Sequence, residues 1–217
     1  FLNRAKAEIG FAYGRLNDYY FQTSNMTFPN ATTDHSWYDL FAGSLSIERN
    51  SLDYKQYPIS GRKQFLVAQY VTGTEKYMPS PITDMGSFDR KVHSWLQMKG
   101  EWEQYKTISP HFNLGFMSEL VLSSKNLMNN YTASVLQAPA FTPTPHSQIV
   151  FNEAFRANQY VAFGVSPILK FSKLLHFRLD MYGFAPLYEI KKEEVWNNNT
   201  YTAIPYYGKF LHSFKYM

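Results

Sequence analysis

The side chains that could carry covalent or metal chemistry are few and poorly spaced for it. A serine nucleophile raised above a sheet needs a Gly-x-Ser-x-Gly turn. Neither that string nor an Asp-Gly pair occurs. The nearest match, Gly164-Val165-Ser166-Pro167, lacks the final glycine and runs into proline within a strand pattern, so it reads as structure. There is no cysteine, which removes thiolate chemistry and disulfides. His35, His93, His111, His146, His176 and His212 share no short metal-ligand spacing. His35, beside Asp34 and near Asp39, reads as part of a polar loop. The sequence therefore predicts no catalytic, cofactor-binding or metal-binding residue in this chain. Asn25, Asn30, Asn130 and Asn198 stand in Asn-x-Ser/Thr strings, which matter only in a secreted eukaryotic protein.

The charged residues instead sort by face. In Val92–Tyr105, Leu96, Met98, Gly100 and Trp102 alternate with Gln97, Lys99, Glu101 and Glu103. A period of two marks a long strand with one apolar and one charged face. The same alternation predicts strands over Ala5–Leu16, Trp37–Arg49, Gln64–Thr72, Phe112–Leu122, Tyr160–Ser166 and Leu175–Ala185, with an eighth beginning at Phe210. Glu8, Glu48, Glu119, Arg178 and Asp180 fall on the non-apolar face, and so do His93 and His176. The connections alternate in length. Phe21–Asp34, Gly73–Arg90, Ser123–Ala154 and Pro186–Gly208 are long and polar, whereas Thr107–His111 is short. Pro58 and Gly61 are turn residues in the connection Asn50–Arg62. Short turns on one side and long loops on the other characterise transmembrane barrels, whose strands cross with about 9–11 residues.

Composition agrees. Aromatic content is 18%, which suits interfacial girdles; Tyr13, Trp37, Tyr105, Tyr131, Tyr160 and Tyr182 are the candidates. The net charge of +4 is spread along the chain without a basic run, which argues against nucleic acid as a partner. No apolar run approaches the roughly 18 residues of a transmembrane helix. The predicted fold is all-β: an antiparallel up-and-down transmembrane β-barrel, with short periplasmic turns and long extracellular loops. The chain opens and closes within strand patterns, so 1–217 reads as one barrel region of about eight strands belonging to a larger barrel.

Several phrases resemble the C-terminal barrel of patatin-like phospholipases from Bacteroidetes-type bacteria, within the bacterial surface antigen (BamA/TamA-type) group. They are Asn50-Ser51-Leu52 through Gln56-Tyr57-Pro58 and Gly61, Tyr70–Lys76, Asn130–Ala133, Ala140–Ser147 and Phe155–Gln159. The resemblance implies a bacterial outer-membrane location and no enzyme activity in this chain itself. It also implies an upstream patatin-like serine hydrolase module, anchored or exported by the barrel. The implied partners are outer-membrane lipid, the remaining strands and N-terminal module of the same protein, and other outer-membrane proteins. It implies too that a long loop enters the lumen and sets an arginine against an inward acid. Arg156 and Asp180 match those positions, although Ala157 and Asn158 stand where a glycine and an aromatic are expected. Two other readings stay open: a porin or transporter barrel without an enzyme, and a soluble aromatic-rich β-sandwich that binds carbohydrate.

Overall fold

The computed structural model describes residues 5–21, 32–80, 89–172, 175–197 and 200–217. Asn25, Asn30, Asn198 and most of the loop predicted at Phe21–Asp34 lie outside the described residues. The fold is all-β, with 67% strand against 7% helix. Its elements are β1 (Ala5–Tyr20), β2 (Asp34–Asn50), β3 (Gly61–Met78), β4 (Asp89–Ser109), β5 (Phe112–Ser123), α1 (Tyr131–Leu136), α2 (Pro145–Ile149), β6 (Tyr160–Lys170), β7 (His176–Arg178), β8 (Met181–Pro186), β9 (Tyr188–Asn197), β10 (Thr200–Phe210) and β11 (Lys215–Tyr216).

Every ladder is antiparallel, and the main sheet runs β1-β2-β3-β4-β5-β6-β8-β11, with β7 beside β6. This is the predicted up-and-down order. β9 and β10 form a second ladder. The two ladders belong to one long hairpin. β8 passes into β9 across Leu187, and the Leu211 N–H donates to the Leu187 carbonyl at 2.9 Å. The return arm turns at Leu211, whose φ is 47°, before β11 rejoins β8. Counted this way the described residues form eight strands. Among the described residues no ladder joins β1 to β11, so the sheet is open.

Two predicted loops are wrong in kind. Gly73–Met78 continues β3, with Thr74, Glu75 and Lys76 opposite Val92, Lys91 and Arg90. Most of Pro186–Gly208 is the β9–β10 hairpin. Its Lys191-Lys192-Glu193-Glu194 run hides the alternation, because an isolated ladder stands in water and carries charge. Lys192 and Glu194 pair along it at 2.8 Å. The predicted Leu175–Ala185 strand is interrupted at Leu179-Asp180, where the Leu179 N–H turns to the Pro167 carbonyl at 3.1 Å. The Asn50–Arg62 connection is a built turn. The Asp53 carboxylate accepts the Tyr54, Ile59 and Ser60 amides at 3.0, 3.0 and 3.2 Å. Gly61 has φ 102°, and a Cβ there would lie 2.2 Å from the Ser51 carbonyl oxygen, so only glycine fits.

The two faces of the sheet are inverted relative to a water-soluble domain. Ile9 and Phe11 of β1, Phe41, Leu45 and Ile47 of β2, Leu96 and Met98 of β4, Phe116 and Leu120 of β5, and Phe177 and Met181 beyond them are all exposed, Phe11 by 87%. On the other face Glu75, His93, Asn113, Glu119 and Ser166 are buried, Glu75 completely. The sequence assigns His93, Asn113 and Glu119 to the charged face, whereas Glu75 falls in its predicted loop; Val71, Trp95, Val121 and Phe184 are buried on the same covered face.

Residues 124–159 cover that polar face. Phe141 and Phe155 pack with Val121, Tyr160, Ala162, Tyr182 and Phe184. Ala133 of α1 joins Tyr20 and Tyr38 of β1 and β2, while Val135 of the same helix joins Ile190 of β9. In a flat sheet β2 and β8 would stand about 24 Å apart at about 4.8 Å per step. One helix of six residues, about 10 Å across, touches both ends, so the sheet curls around it. Three of the predicted girdle residues, Tyr105, Tyr160 and Tyr182, therefore face this buried side, and Tyr131 lies on α1.

Candidate functional site: the charged cleft beneath residues 124–159

Period-two geometry places Lys99, Glu101 and Glu103 of β4 on the covered face, with Lys63 of β3 opposite Glu103 and Glu119 of β5 opposite Glu101. Two carboxylates set opposite one another repel. Lys99 relieves this by reaching Glu101 at 2.8 Å and Glu119 at 3.3 Å. Lys63 holds Glu101 at 2.7 Å and Glu103 at 3.8 Å. The Tyr160 hydroxyl donates to Glu119 from β6. Two lysines are thus interleaved with three carboxylates across β3, β4 and β5, and β6 adds a neutral donor.

Arg178 closes the lower end. Its Nε donates to Asp180 at 2.7 Å, one Nη to the Pro58 carbonyl at 2.9 Å, and the other to the Tyr105 hydroxyl at 3.2 Å and Ser166 Oγ at 3.3 Å. Asn113 adds a bond to the Ile59 carbonyl at 2.7 Å. The β2–β3 turn is therefore drawn across the covered face to β5 and β7. Between this turn and Thr142–Pro145 lies a cleft of about 350 Å³, lined by Lys55, Tyr57, Lys99, Glu103 and Arg178 among others.

The upper end is closed by a second set. His93 and Glu75 pair at 2.8 Å in full burial, and Glu75 also accepts the Asn129 amide at 3.3 Å. Asn130 caps α1 by accepting the Ala133 amide at 2.8 Å. Its amide nitrogen donates to the Tyr20 hydroxyl at 2.7 Å. Lys125 lies 4.7 Å over the Trp95 ring and donates to the Gln137 carbonyl, where α1 ends.

Burial pushes the Lys125 ammonium down to about 7 from its ordinary 10.5, with Glu75 opposing the shift. A cation whose folded value is lowered destabilises the fold fully below the folded value and ceases to do so above the unfolded one. The anchoring of 124–137 is accordingly expected to strengthen from about pH 7 to about pH 10.5. The limiting slope is about 1.4 kcal/mol per pH unit. Amide hydrogen exchange across α1, corrected for intrinsic chemistry, measures it. Lys125→Met should abolish the slope and tighten the segment most at and below neutral pH.

The pair proposed from the resemblance is not formed as an ion pair among the described residues. The Arg156 guanidinium donates to the Leu136 and Ala138 carbonyls at 2.9 and 3.0 Å, which ties down the end of α1. Asp180 is taken by Arg178 and by the Ser166 hydroxyl. Arg178 is only two residues from Asp180 and on the same face, a local partner that the search for a distant loop arginine passed over. Ser166 donates to Asp180 and accepts from Arg178 in this network. His35 stacks on Tyr19 with ring centres 3.8 Å apart and meets Trp37 at 3.5 Å, so the loop predicted around it is strand. His176 lies opposite Lys170 on the same face as Arg178, the face the sequence assigns it, and is exposed there. Among the described residues no cluster could hold a metal ion. Comparisons with protein-family models, curated proteins and solved structures gave no match.

Proposed function

We propose that this chain is a wall section of a β-barrel in a bacterial outer membrane, with residues 124–159 lodged on its inner side. The one observation that carries the reading is the inverted burial: large apolar side chains are bare on the open face while Glu75, His93 and Glu119 are buried on the other. In water the open face costs hydrophobic free energy on every strand; in hydrocarbon it costs nothing, and the backbone is satisfied strand to strand. Strands of 17, 18 and 21 residues exceed what a bilayer needs, so they extend beyond it. A soluble sandwich would set a second sheet over the apolar face, and none lies there among the described residues.

In this reading the chain's own work is structural: it spans the membrane and holds an inner segment in place. By the resemblance of Phe141–Gln159 and the other phrases, it anchors or helps export an upstream patatin-like lipid hydrolase. A transporter barrel without an enzyme shares the same wall, and the sequence upstream of Phe1 in the native polypeptide separates the two.

Leu45→Arg tests the membrane half. Leu45 is half exposed on the open face. Arginine facing hydrocarbon costs about 2–4 kcal/mol near the midplane, so membrane assembly should fall sharply. In a soluble domain the same change on an exposed site shifts stability by only about 0.5 kcal/mol. Assembly into membranes with wild-type yield and wild-type resistance to extraction would sink the reading. Lys55→Glu, in the β2–β3 turn, is the matched control.

A further inference from the structure

A second cavity, of about 210 Å³, lies between the covering segment and Met217, away from the charged cleft's ion pairs. Its apolar wall includes Phe141, Val150, Phe155 and Met217, and its polar wall includes Thr142 and Arg156. Cavities of about 150 Å³ with such linings accept a small hydrocarbon.

Arg156, like Lys125, is a cation held by main-chain carbonyls. It serves two neutral carbonyls and lies 4.7 Å from the centre of the Phe151 ring, and among the described residues it has no carboxylate partner. Its Nε is buried without a hydrogen-bond partner. The carboxylates beside it are engaged elsewhere. Glu153 accepts the Tyr131 hydroxyl at 2.7 Å, and Glu189 pairs with Lys215 at 2.8 Å. A buried guanidinium donor that remains unpaired costs free energy, which an anion would recover. Burial alone shifts the guanidinium below its ordinary value, as expected where no anion compensates.

We infer that this cavity binds a small amphiphilic anion, with its carboxylate on Arg156 and a short apolar body against Phe141, Val150 and Phe155. Thr142 offers a hydroxyl at the polar end. The inference does not rest on the membrane reading, because the cavity is formed by the covering segment and Met217 whatever faces the outer side of the sheet. A free carboxylic acid and the phosphate end of a lipid share this chemistry; the free acid is the ligand proposed, since the cavity is too small for two acyl chains.

The test uses the full native polypeptide, held in amphipol if it proves to be a membrane protein, with empty amphipol as the blank. Octanoate should bind saturably, and octanol about tenfold more weakly for want of the charge-assisted bond. Octyl phosphate binding tighter than octanoate would shift the source to a lipid headgroup and overturn the free-acid assignment. Arg156→Gln should weaken octanoate by about tenfold, while Arg156→Lys keeps part of the affinity. Because Arg156 also ties the end of α1, Val150→Trp provides the independent variant. Val150 lines the cavity and is largely exposed, so a tryptophan introduced there obstructs the cavity at little cost to the fold, and octanoate binding should vanish. Absence of saturable binding, equal affinity for octanoate and octanol, or unchanged binding to Val150→Trp would each overturn the proposal. The first of these is the result expected if another part of the native polypeptide supplies the carboxylate for Arg156.

Discussion

Arg178→Met should lower the stability of the curled sheet by about 3–5 kcal/mol, the range for removing one partner of a buried ion pair. The side chain of Arg178 is 14% exposed and that of Asp180 18% exposed, so neither charge is well served by water. Without the guanidinium, Asp180 keeps only Ser166, and the Pro58 carbonyl and Tyr105 hydroxyl lose a donor. The Tyr57 and Tyr105 rings, 5.6 and 5.2 Å from the guanidinium, lose their cation. The loss is long-range, since Arg178 and Pro58 lie 120 residues apart in sequence. The measurement is the urea midpoint of unfolding followed by intrinsic tryptophan fluorescence. Arg178→Lys should fall between wild type and Arg178→Met, because an ammonium cannot serve Asp180, Pro58 and Tyr105 in one fixed fork. Asp180→Asn should cost less than Arg178→Met, because the guanidinium keeps its three other acceptors, the Pro58 carbonyl, the Tyr105 hydroxyl and Ser166 Oγ. An Arg178→Met midpoint equal to wild type would mean that Asn113 alone holds the β2–β3 turn.

Phe141→Ala should cost about 3–5 kcal/mol, the usual effect of truncating a fully buried phenylalanine. Phe141 is 1% exposed. It stacks on Phe184 at 6.0 Å between ring centres and meets Tyr160 and Tyr182 edge-on at 6.3 and 6.0 Å. Its amide also donates to the Phe155 carbonyl at 2.9 Å, so the ring fixes both ends of the short excursion that holds α2. The damage should be confined. Residues 124–159 should become sensitive to protease and exchange faster, while the β2–β3–β4 ladders keep wild-type protection, because their backbone bonds run strand to strand and not through the segment. Protection lost evenly over sheet and segment would show that the sheet depends on its covering segment.

Much of the sheet was legible in the sequence. Side chains of Val92–Tyr105 or Phe112–Leu122 alternate with the strand's own period, and no distant residue is needed to sort them into faces. The antiparallel neighbour order also followed, because short connections oblige consecutive strands to pair. Strand ends were less legible. Gly73–Met78 and Tyr188–Asn197 mix Gly, Lys, Glu and Tyr, and their strand state comes from a partner across the ladder.

The site was only partly legible. That Lys99, Glu101, Glu119 and Arg178 share a face is a local fact, and the sequence contains it. That Lys99 bridges two opposed carboxylates depends on the β4–β5 register, which follows from a turn irregular between Thr107 and Ser109. Arg156 and Asp180 show the limit most clearly. Both were identified as charges in need of partners, and the partners found, the carbonyls closing α1 and the neighbouring Arg178, depend on how residues 124–159 fold back. Lys125 carried no signal at all. One lysine among polar residues looks like any solvated lysine until Trp95 and Gln137 enclose it.

The sequence by itself determined the all-β class, the strand order, the composition of each face and the absence of a serine elbow or a cysteine. These are set by side chains within a few residues of one another, or by residue types alone. Only the tertiary structure decided that the polar face is the buried one, that the sheet curls until β2 and β9 share a helix, and which cation meets which anion. Those features depend on contacts between residues far apart in the chain. Alternation fixes what lies on each side of a strand, and only packing fixes what lies against it.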